Sequence, residues 1–171
     1  MKTSGYALRE AIKQHELRRD TAAKLFNTSL KTFPGEKKDE TPQALVTRFL
    51  NAETAIALLQ TAQAKYNLRV TFDVLSPSTR MTLSEAIKRI GGIARVEKMW
   101  RSAAGPGKES LYADHDVRDP TQVRSTPTIS INEIVKLATQ AGKQAGQLRA
   151  AIATANAREV EIEDLEPSLF E

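Results

Sequence analysis

Apolar residues return every three or four positions through the first part of the chain, which is the spacing of one face of an α-helix. No Pro interrupts this pattern, and charged side chains fill the positions between. It predicts a helix from about Gly5 to about Leu30. Pro34 and Gly35 then give a strong turn signal, so we expect a loop over residues 32–41. The apolar positions of the helix are Leu8, Ile12, Leu17, Ala22, Leu25 and Phe26.

A second helix is predicted to begin at Thr41 and Pro42. Thr is a good N-cap, and Pro fits the first helical position because an N–H there would have no helical partner. Seven positions then alternate spacings of four and three, which is typical of a coiled-coil seam with one polar interruption at Gln63. The full seam is Leu45, Phe49, Ala52, Ile56, Leu59, Gln63 and Tyr66. We predict that Leu45, Phe49, Ile56 and Leu59 form a packing or oligomer seam.

The period changes to two after Asn67. Leu68, Val70, Phe72 and Val74 alternate with polar residues, which predicts a strand over this segment.

Thr82 and Glu85 have the spacing of a capping box, which predicts the start of a third helix that runs to about Ala104. Gly91 and Gly92 lie in its middle, and each costs about 1 kcal/mol relative to Ala. The pair therefore marks a close approach of another backbone, a bend, or a tolerated defect on an exposed face.

Residues 105–127 are rich in Pro and Gly and predict a long loop. The β-branched segment from Thr128 to Ile131 is expected to pair with residues 68–74 as a short ribbon. A second capping box at Ser130 opens a fourth helix that ends near Ala157. Its seam is the most regular in the chain and consists chiefly of Ile134, Ala138, Ala141, Ala145, Leu148 and Ile152.

The sequence Leu-x-Glu-Ala-Ile-Lys occurs twice, beginning at Leu8 and at Leu83, 75 residues apart. Together with the repeated helix order, it favours an internal duplication. We therefore predict an all-α fold, a four-helix bundle of two antiparallel hairpins with a minor β-ribbon. The hairpins span about residues 5–67 and 82–157 within a bundle domain of residues 1–159.

Residues 160–171 form an acidic C-terminal tail with five carboxylates and no Lys or Arg. The whole chain carries a net charge of +4, so the remaining residues 1–159 carry +9. A basic body of this kind is compatible with nucleic-acid binding, but charge alone discriminates poorly, so it favours an ordinary solvated helical surface. Lys88, Arg95 and Lys98 fall on one side of the predicted third helix and are possible phosphate contacts.

Candidate chemistry is sparse. The chain has no Cys and only two His residues, which excludes disulfides, thiolate nucleophiles and a site with three or more His ligands from one chain. His15 lies beside Glu16 and is expected to pair locally or to face solvent. His115 lies in a polar segment that lacks the Gly and terminal Glu of an EF-hand loop. No phosphate-binding Gly-rich loop is present. We therefore predict no catalytic residues, no metal, no cofactor and no small-molecule ligand.

Several helix starts and turns together resemble a family of small bacterial helical proteins often labelled septicolysin-like. The resemblance covers about residues 7–160. It implies a helical fold and no established activity. The residues that carry it are the Leu-x-Glu-Ala-Ile motif at Leu8, Asn27 before Pro34-Gly35-Glu36, Pro42, the motif from Thr82 to Ile87, and Pro127 to Ile131.

The sequence favours a non-enzymatic, self-associating helical protein, an assembly or adaptor component that forms a homo-oligomer. The alternative is a nucleic-acid-associated protein that binds phosphates through its basic body. The longest strictly apolar run is Ala55–Leu59, too short to cross a membrane, so we expect a cytoplasmic location.

Overall fold

The computed structural model describes residues 1–31, 40–74, 80–104 and 128–171. The fold is all-α with minor β structure, as predicted. The described residues form the helices α1 (Gly5–Ser29), α2 (Pro42–Arg69), α3 (Leu83–Ala103) and α4 (Ile131–Asn156). The strands are β1 (Lys2–Thr3), β2 (Thr71–Asp73), β3 (Arg80–Thr82) and β4 (Val160–Glu161). A C-terminal 3-10 helix spans Pro167–Phe170.

Side-chain caps fix where three of the helices begin. Ser4 Oγ accepts a hydrogen bond from Ala7 N at 3.2 Å and so caps α1. Thr41 Oγ1 and Ser130 Oγ do the same for α2 and α4, with a donor N–H three residues further along at 3.2 Å in both cases. Each cap satisfies an N–H that has no partner within the helix. The predicted starts of α2 and α4 are thereby confirmed.

The strands form two small sheets, one of β1 with β4 and one of β2 with β3. β1 and β4 are antiparallel, with Lys2 opposite Glu161. The predicted pairing of Thr128 to Ile131 with residues 68–74 is wrong. Ser130 caps α4 and Ile131 begins it, so these two residues belong to the helix, and Thr128 and Ile129 lie in a bend before it. β3 also follows β2 closely in sequence, and pairing near neighbours closes a much shorter loop.

The chain runs through the order strand, helix, helix, strand twice. Positions 89 residues apart in α2 and α4 share their burial: Leu45 matches Ile134, and Leu59 matches Leu148, all four of them buried. This repeated order supports the internal duplication that the Leu-x-Glu-Ala-Ile-Lys motif indicates.

The chain divides into two compact units. Unit 1 consists of Met1–Phe72, Thr82–Ser84 and Ala153–Glu171. Here α1 packs antiparallel on α2: Arg19 pairs with Glu53 at 3.3 Å, and Gly5 lies near Tyr66 towards the other end. Asp20 also bonds Arg19, and this hydrogen bond is the main cause that raises the pKa of the guanidinium.

The acidic C-terminal residues 160–171 lie within unit 1. Ile162 and Leu165 are buried. The Met1 amino group donates to the Ile162 carbonyl at 2.9 Å. Arg69 donates to the Glu161 carbonyl at 2.6 Å and pairs with the Glu163 carboxylate at 3.0 Å. Apolar burial and charge pairing therefore both attach this segment to unit 1.

Unit 2 consists of Asp73–Met81 and Glu85–Ile152. Within it, α3 and α4 approach each other at Gly142. A Cβ added there would lie 3.0 Å from Glu97 Oε1, and Glu97 pairs with Arg101 at 2.9 Å. The lack of a side chain at Gly142 leaves room for this ion pair.

Candidate functional site

The predicted seams lie in the interior of the molecule. In α2, Leu45, Ile56 and Leu59 are buried, and Phe49 is partly buried. In α4 every predicted seam position is buried except Ile152, which is partly buried. Side chains that are already packed inside the chain are not free to meet another subunit. Surfaces available to a partner must therefore be sought on the outer faces of the helices.

The outer face of α2 is exposed and uncharged over most of its length. Val46, Leu50 and Leu68 are 45%, 58% and 62% exposed. At about 100° per residue, positions 46, 50, 57, 64 and 68 fall within about 40° of one another, on the side of α2 away from its buried seam. We call this surface the α2 stripe. Its members, all exposed, are Val46, Leu50, Thr54, Ala57, Thr61, Ala64 and Leu68.

An apolar cleft adjoins the α2 stripe where α1 and α2 meet. The cleft has a volume of about 250 Å³ and is lined only by Ala, Val, Leu and Phe side chains. Val46 and Leu50 belong to both the cleft and the stripe, and Phe26 and Phe49 supply aromatic rings to the cleft. The stripe therefore continues at one end into a second apolar surface.

A polar groove lies on the other side of the contact between α1 and α2. Its volume is about 480 Å³. His15 and Arg18 line it from α1, and Thr47, Arg48 and Asn51 line it from α2. The prediction that His15 pairs locally or faces solvent is wrong. The ring is 8% exposed, and its Nε2 lies 3.0 Å from the carbonyl oxygen of Leu169. A partner 154 residues away leaves no local signal in the sequence.

The three possible phosphate contacts on α3 are all exposed. Arg95 and Lys98 line one open depression together with Met99, Ser102 and Ala103. Lys88 is not among the residues that line it, although it shares the same side of α3 by helical spacing. The structure therefore brings two of the three predicted cations around one surface depression.

Gly91 and Gly92 lie within this part of α3, which is helical throughout. The nearest described atom to a Cβ added at Gly91 is Arg95 Nη1, at 3.7 Å. A Cβ at Gly92 would have no neighbour within 4 Å among the described residues. No described backbone makes a close approach there, so of the three interpretations the structure favours a tolerated position on an open surface.

Among the described residues, no group of three or more His, Asp or Glu side chains could hold a metal ion. His115 and the predicted loop 105–127 lie outside the described residues. The helices that the structure describes include none with the length and apolar character needed to cross a bilayer.

Comparison with known proteins gives a likeness of fold. No family model and no curated protein matches the chain. A functionally unknown conserved protein from Corynebacterium diphtheriae has a similar crystal structure, with a TM-score of 0.63 and 18% sequence identity. The match covers 94% of this chain and 100% of that one. At this identity the likeness concerns the fold alone, and the resemblance to the septicolysin-like family stays a prediction.

Proposed function

We propose that this chain is a non-enzymatic, self-associating helical protein, an assembly or adaptor component, and that copies meet through the α2 stripe. The observation that carries the proposal is the absence of charge from the stripe between Val46 and Leu68. The outer side of α1 shows the contrast, because the exposed Lys13 and Lys24 lie four residues before and seven residues after the exposed Leu17 and so share its face. An apolar helix face opposite a buried one needs a second partner.

The spacing of the α2 stripe suits a second copy of the same helix. Counted from Ala57, stripe residues lie three, seven and eleven positions before it and four, seven and eleven positions after it. Two antiparallel copies that cross at Ala57 would place Val46 opposite the partner's Leu68. Thr54 would lie opposite the partner's Thr61. Self-complementary surfaces of this kind are the basis of two-fold symmetric dimers.

The small residue at the crossing point favours this arrangement further. Ala57 is exposed and bears only a methyl group, so two helices can approach closely there. Leu58, next to it and 53% exposed, would pack beside the crossing. In this arrangement the apolar cleft, which adjoins Val46, would lie near the C-terminal end of the partner's α2. The stripe and the cleft would then be covered together.

The test is the mass in solution as a function of protein concentration, by light scattering after size exclusion. We expect a mass above the monomer value of 18.9 kDa at high micromolar concentration. Leu50→Lys places a charge in the stripe and should return the protein to monomer. Leu50 is exposed, so this variant should keep the helical circular dichroism of the parent chain.

Thr139→Lys is the matched control. Thr139 is exposed and stands 89 residues after Leu50, at the corresponding position of α4. It adds the same charge outside the stripe and should leave the mass of the oligomer unchanged. A monomeric mass at every concentration, or an equal effect of both substitutions, would contradict the proposal.

A second candidate function is nucleic-acid binding, in which cations on α3 contact the phosphate backbone. The observation that favours it is the shared depression of Arg95 and Lys98. The test is binding to duplex DNA at several salt concentrations. The slope of log K against log salt concentration reflects how many DNA phosphates the protein neutralises. Replacing Lys88, Arg95 and Lys98 by Gln should reduce the magnitude of this slope by about 0.9 for each phosphate that these cations neutralise in the parent chain.

The matched control for this second test lies on α1. Arg9, Lys13 and Lys24 are exposed, and replacing all three by Gln removes the same charge from another helix. An equal fall in affinity in the two triple variants would show that net charge alone attracts DNA. DNA binding that does not depend on salt, or no DNA binding at all, would contradict the proposal that the α3 cations contact phosphates.

A further inference from the structure

The polar groove between α1 and α2 gathers more polar side chains than the apolar cleft or the depression on α3. It brings two guanidinium groups and an imidazole together with a hydroxyl and an amide: Arg18, Arg48, His15, Thr47 and Asn51. None of the described residues that line it is a carboxylate. A concave surface lined by cations attracts anions more strongly than the same charges spread over a convex one.

The donors of the groove are held in place by other parts of unit 1. A carbonyl oxygen only accepts hydrogen bonds, so His15 Nε2 carries a hydrogen and donates it to Leu169 O at 3.0 Å. Arg18 donates to the backbone carbonyl of Glu171. Arg48 Nη1 lies 3.1 Å and 3.3 Å from the two carboxylate oxygens of Glu40.

These contacts orient the two Arg side chains and use only some of their N–H donors. An Arg side chain has five N–H donors. The Arg18 contact with Glu171 O uses the Nη2 group, and the Arg48 contacts with Glu40 use Nη1. Among the described residues, the remaining N–H groups of Arg18 and Arg48 make no other hydrogen bond. Because the guanidinium groups are already positioned, the side chains give up less conformational entropy when a ligand binds.

The position of the groove on α2 adds to its positive potential. Ala44 and Thr47 line it, and both lie within the first two turns after Pro42, where the helix begins. The dipole of α2 has its positive end there, which favours an anion nearby. The Arg18 charge, the neutral side-chain donors and the positive end of the helix dipole near Ala44 therefore favour an anion, while the Glu40 carboxylate offsets part of the charge of Arg48.

We propose that this groove binds a small phosphate, either inorganic phosphate or the phosphate group of a small phosphomonoester. Guanidinium forks suit the geometry of phosphate oxygens, since two parallel N–H groups can bind two oxygens at once. The Thr47 hydroxyl and the Asn51 amide supply neutral donors beside the two Arg side chains. The site is separate from the α2 stripe, so this proposal stands independently of self-association.

The test follows the His15 ring by NMR while inorganic phosphate is added at constant ionic strength. The chain has only two His residues, so His115→Gln identifies the His15 signals. We expect saturable shifts of the His15 ring. Arg18→Gln and Arg48→Gln should each weaken binding by about tenfold, the expected effect of removing a hydrogen bond to a charged group.

Arg101→Gln is the matched control, because Arg101 is an exposed cation on α3, outside the groove. It should leave phosphate binding unchanged. A parallel titration with glycerol 3-phosphate separates the two sources: tighter binding than inorganic phosphate assigns the groove to a phosphomonoester, and weaker binding assigns it to the free ion.

Shifts that grow linearly without saturation overturn the proposal. Equal weakening by Arg101→Gln overturns it as well, because the effect would then be one of net charge. If either groove variant fails to fold, Asn51→Ala takes its place. Asn51 is exposed, its substitution removes only the amide donors, and unchanged affinity in that folded variant counts against the groove.

Discussion

Tyr66 in α2 and Ala155 in α4 hold corresponding positions in the two repeats, and they are in direct contact. Tyr66 Oη lies 2.9 Å from the Ala155 carbonyl oxygen and 2.7 Å from that of Arg158. Tyr66 and Ala155 are both fully buried. A phenol has one hydrogen to donate, so the two carbonyls share it. This contact attaches the last turn of α4 and the residues that follow it to α2 within unit 1.

Tyr66→Phe should lower the free energy of unfolding by about 1–3 kcal/mol, because it leaves buried carbonyl groups without their donor. Urea unfolding measures the change. Tyr6→Phe is the control: Tyr6 is exposed, and its substitution should have little effect on stability. Equal stability of Tyr66→Phe and the parent chain would show that the hydroxyl contact does not stabilise the fold.

Stability should also depend on Tyr66 at alkaline pH. Burial is the main cause that raises the pKa of Tyr66 above its ordinary value of 10.0. Above pH 10 the unfolded chain releases this proton while the folded chain keeps it, so the folded state binds more protons and stability falls as the pH rises. Below pH 10 the contribution is constant. In Tyr66→Phe the alkaline fall in stability should be smaller than in Tyr6→Phe.

Gly91→Ala and Gly92→Ala should each raise the free energy of unfolding by about 0.5–1 kcal/mol, because Ala loses less backbone entropy than Gly in a helix. The space for a methyl group is open at both positions among the described residues. Thermal unfolding of the two variants measures the gain. Destabilisation of either variant would show that the glycine is needed for a close contact.

Gly5→Ala should destabilise the protein, in contrast to Gly91→Ala and Gly92→Ala. A Cβ at this position would lie 2.9 Å from Tyr66 Cε1 and would also meet the Asn156 side chain. Since Tyr66 is fully buried, its ring cannot easily move aside. We expect a lower melting temperature and a weaker contact between Tyr66 and the end of α4. A melting temperature equal to that of the parent chain would contradict the tight packing at this point.

Ala141→Leu or Ala145→Leu should lower the free energy of unfolding by about 1–3 kcal/mol through overpacking. Both positions are buried, and Ala145 is fully so. Ala150→Leu adds the same atoms at an exposed position of α4 and should change stability little. Chemical unfolding of the three variants compares them directly. Unaltered stability in the two seam variants would mean that space remains beside this face of α4.

Local signals in the sequence predicted the helices well. Thr41 with Pro42 marks the start of α2, and Ser130 marks the start of α4, because the capping groups lie within three residues of the N–H groups that they satisfy. The seams predicted the buried faces for a similar reason, since a helix places residues three and four apart on one side.

Long-range contacts were not accessible to the same reasoning. The polar groove depends on the contact between His15 and Leu169, and neither residue carries a local sign of the other. The sequence likewise offered Thr128 to Ile131 as a strand, because β-branched residues suit extended backbone. The same segment contains Ser130, the N-cap of α4, and the structure has the helix start there instead of a strand. At this point the capping signal of Ser130 gave a correct prediction, and the β-branched residues gave a wrong one.

The pairing of β1 with β4 has a consequence for the order in which the molecule can fold. Lys2 faces Glu161 in this ladder, so β1 leaves the ribosome long before the strand with which it pairs. Unit 1 consists of residues 1–72 and 153–171 with the short segment Thr82–Ser84, whereas unit 2 comes entirely from residues 73–152. Folding during synthesis can therefore complete the native contacts of unit 2 first. Until β4 emerges, unit 1 also lacks the buried side chains of Ile162 and Leu165. The apolar surface that they cover stays open to other chains during that interval of translation.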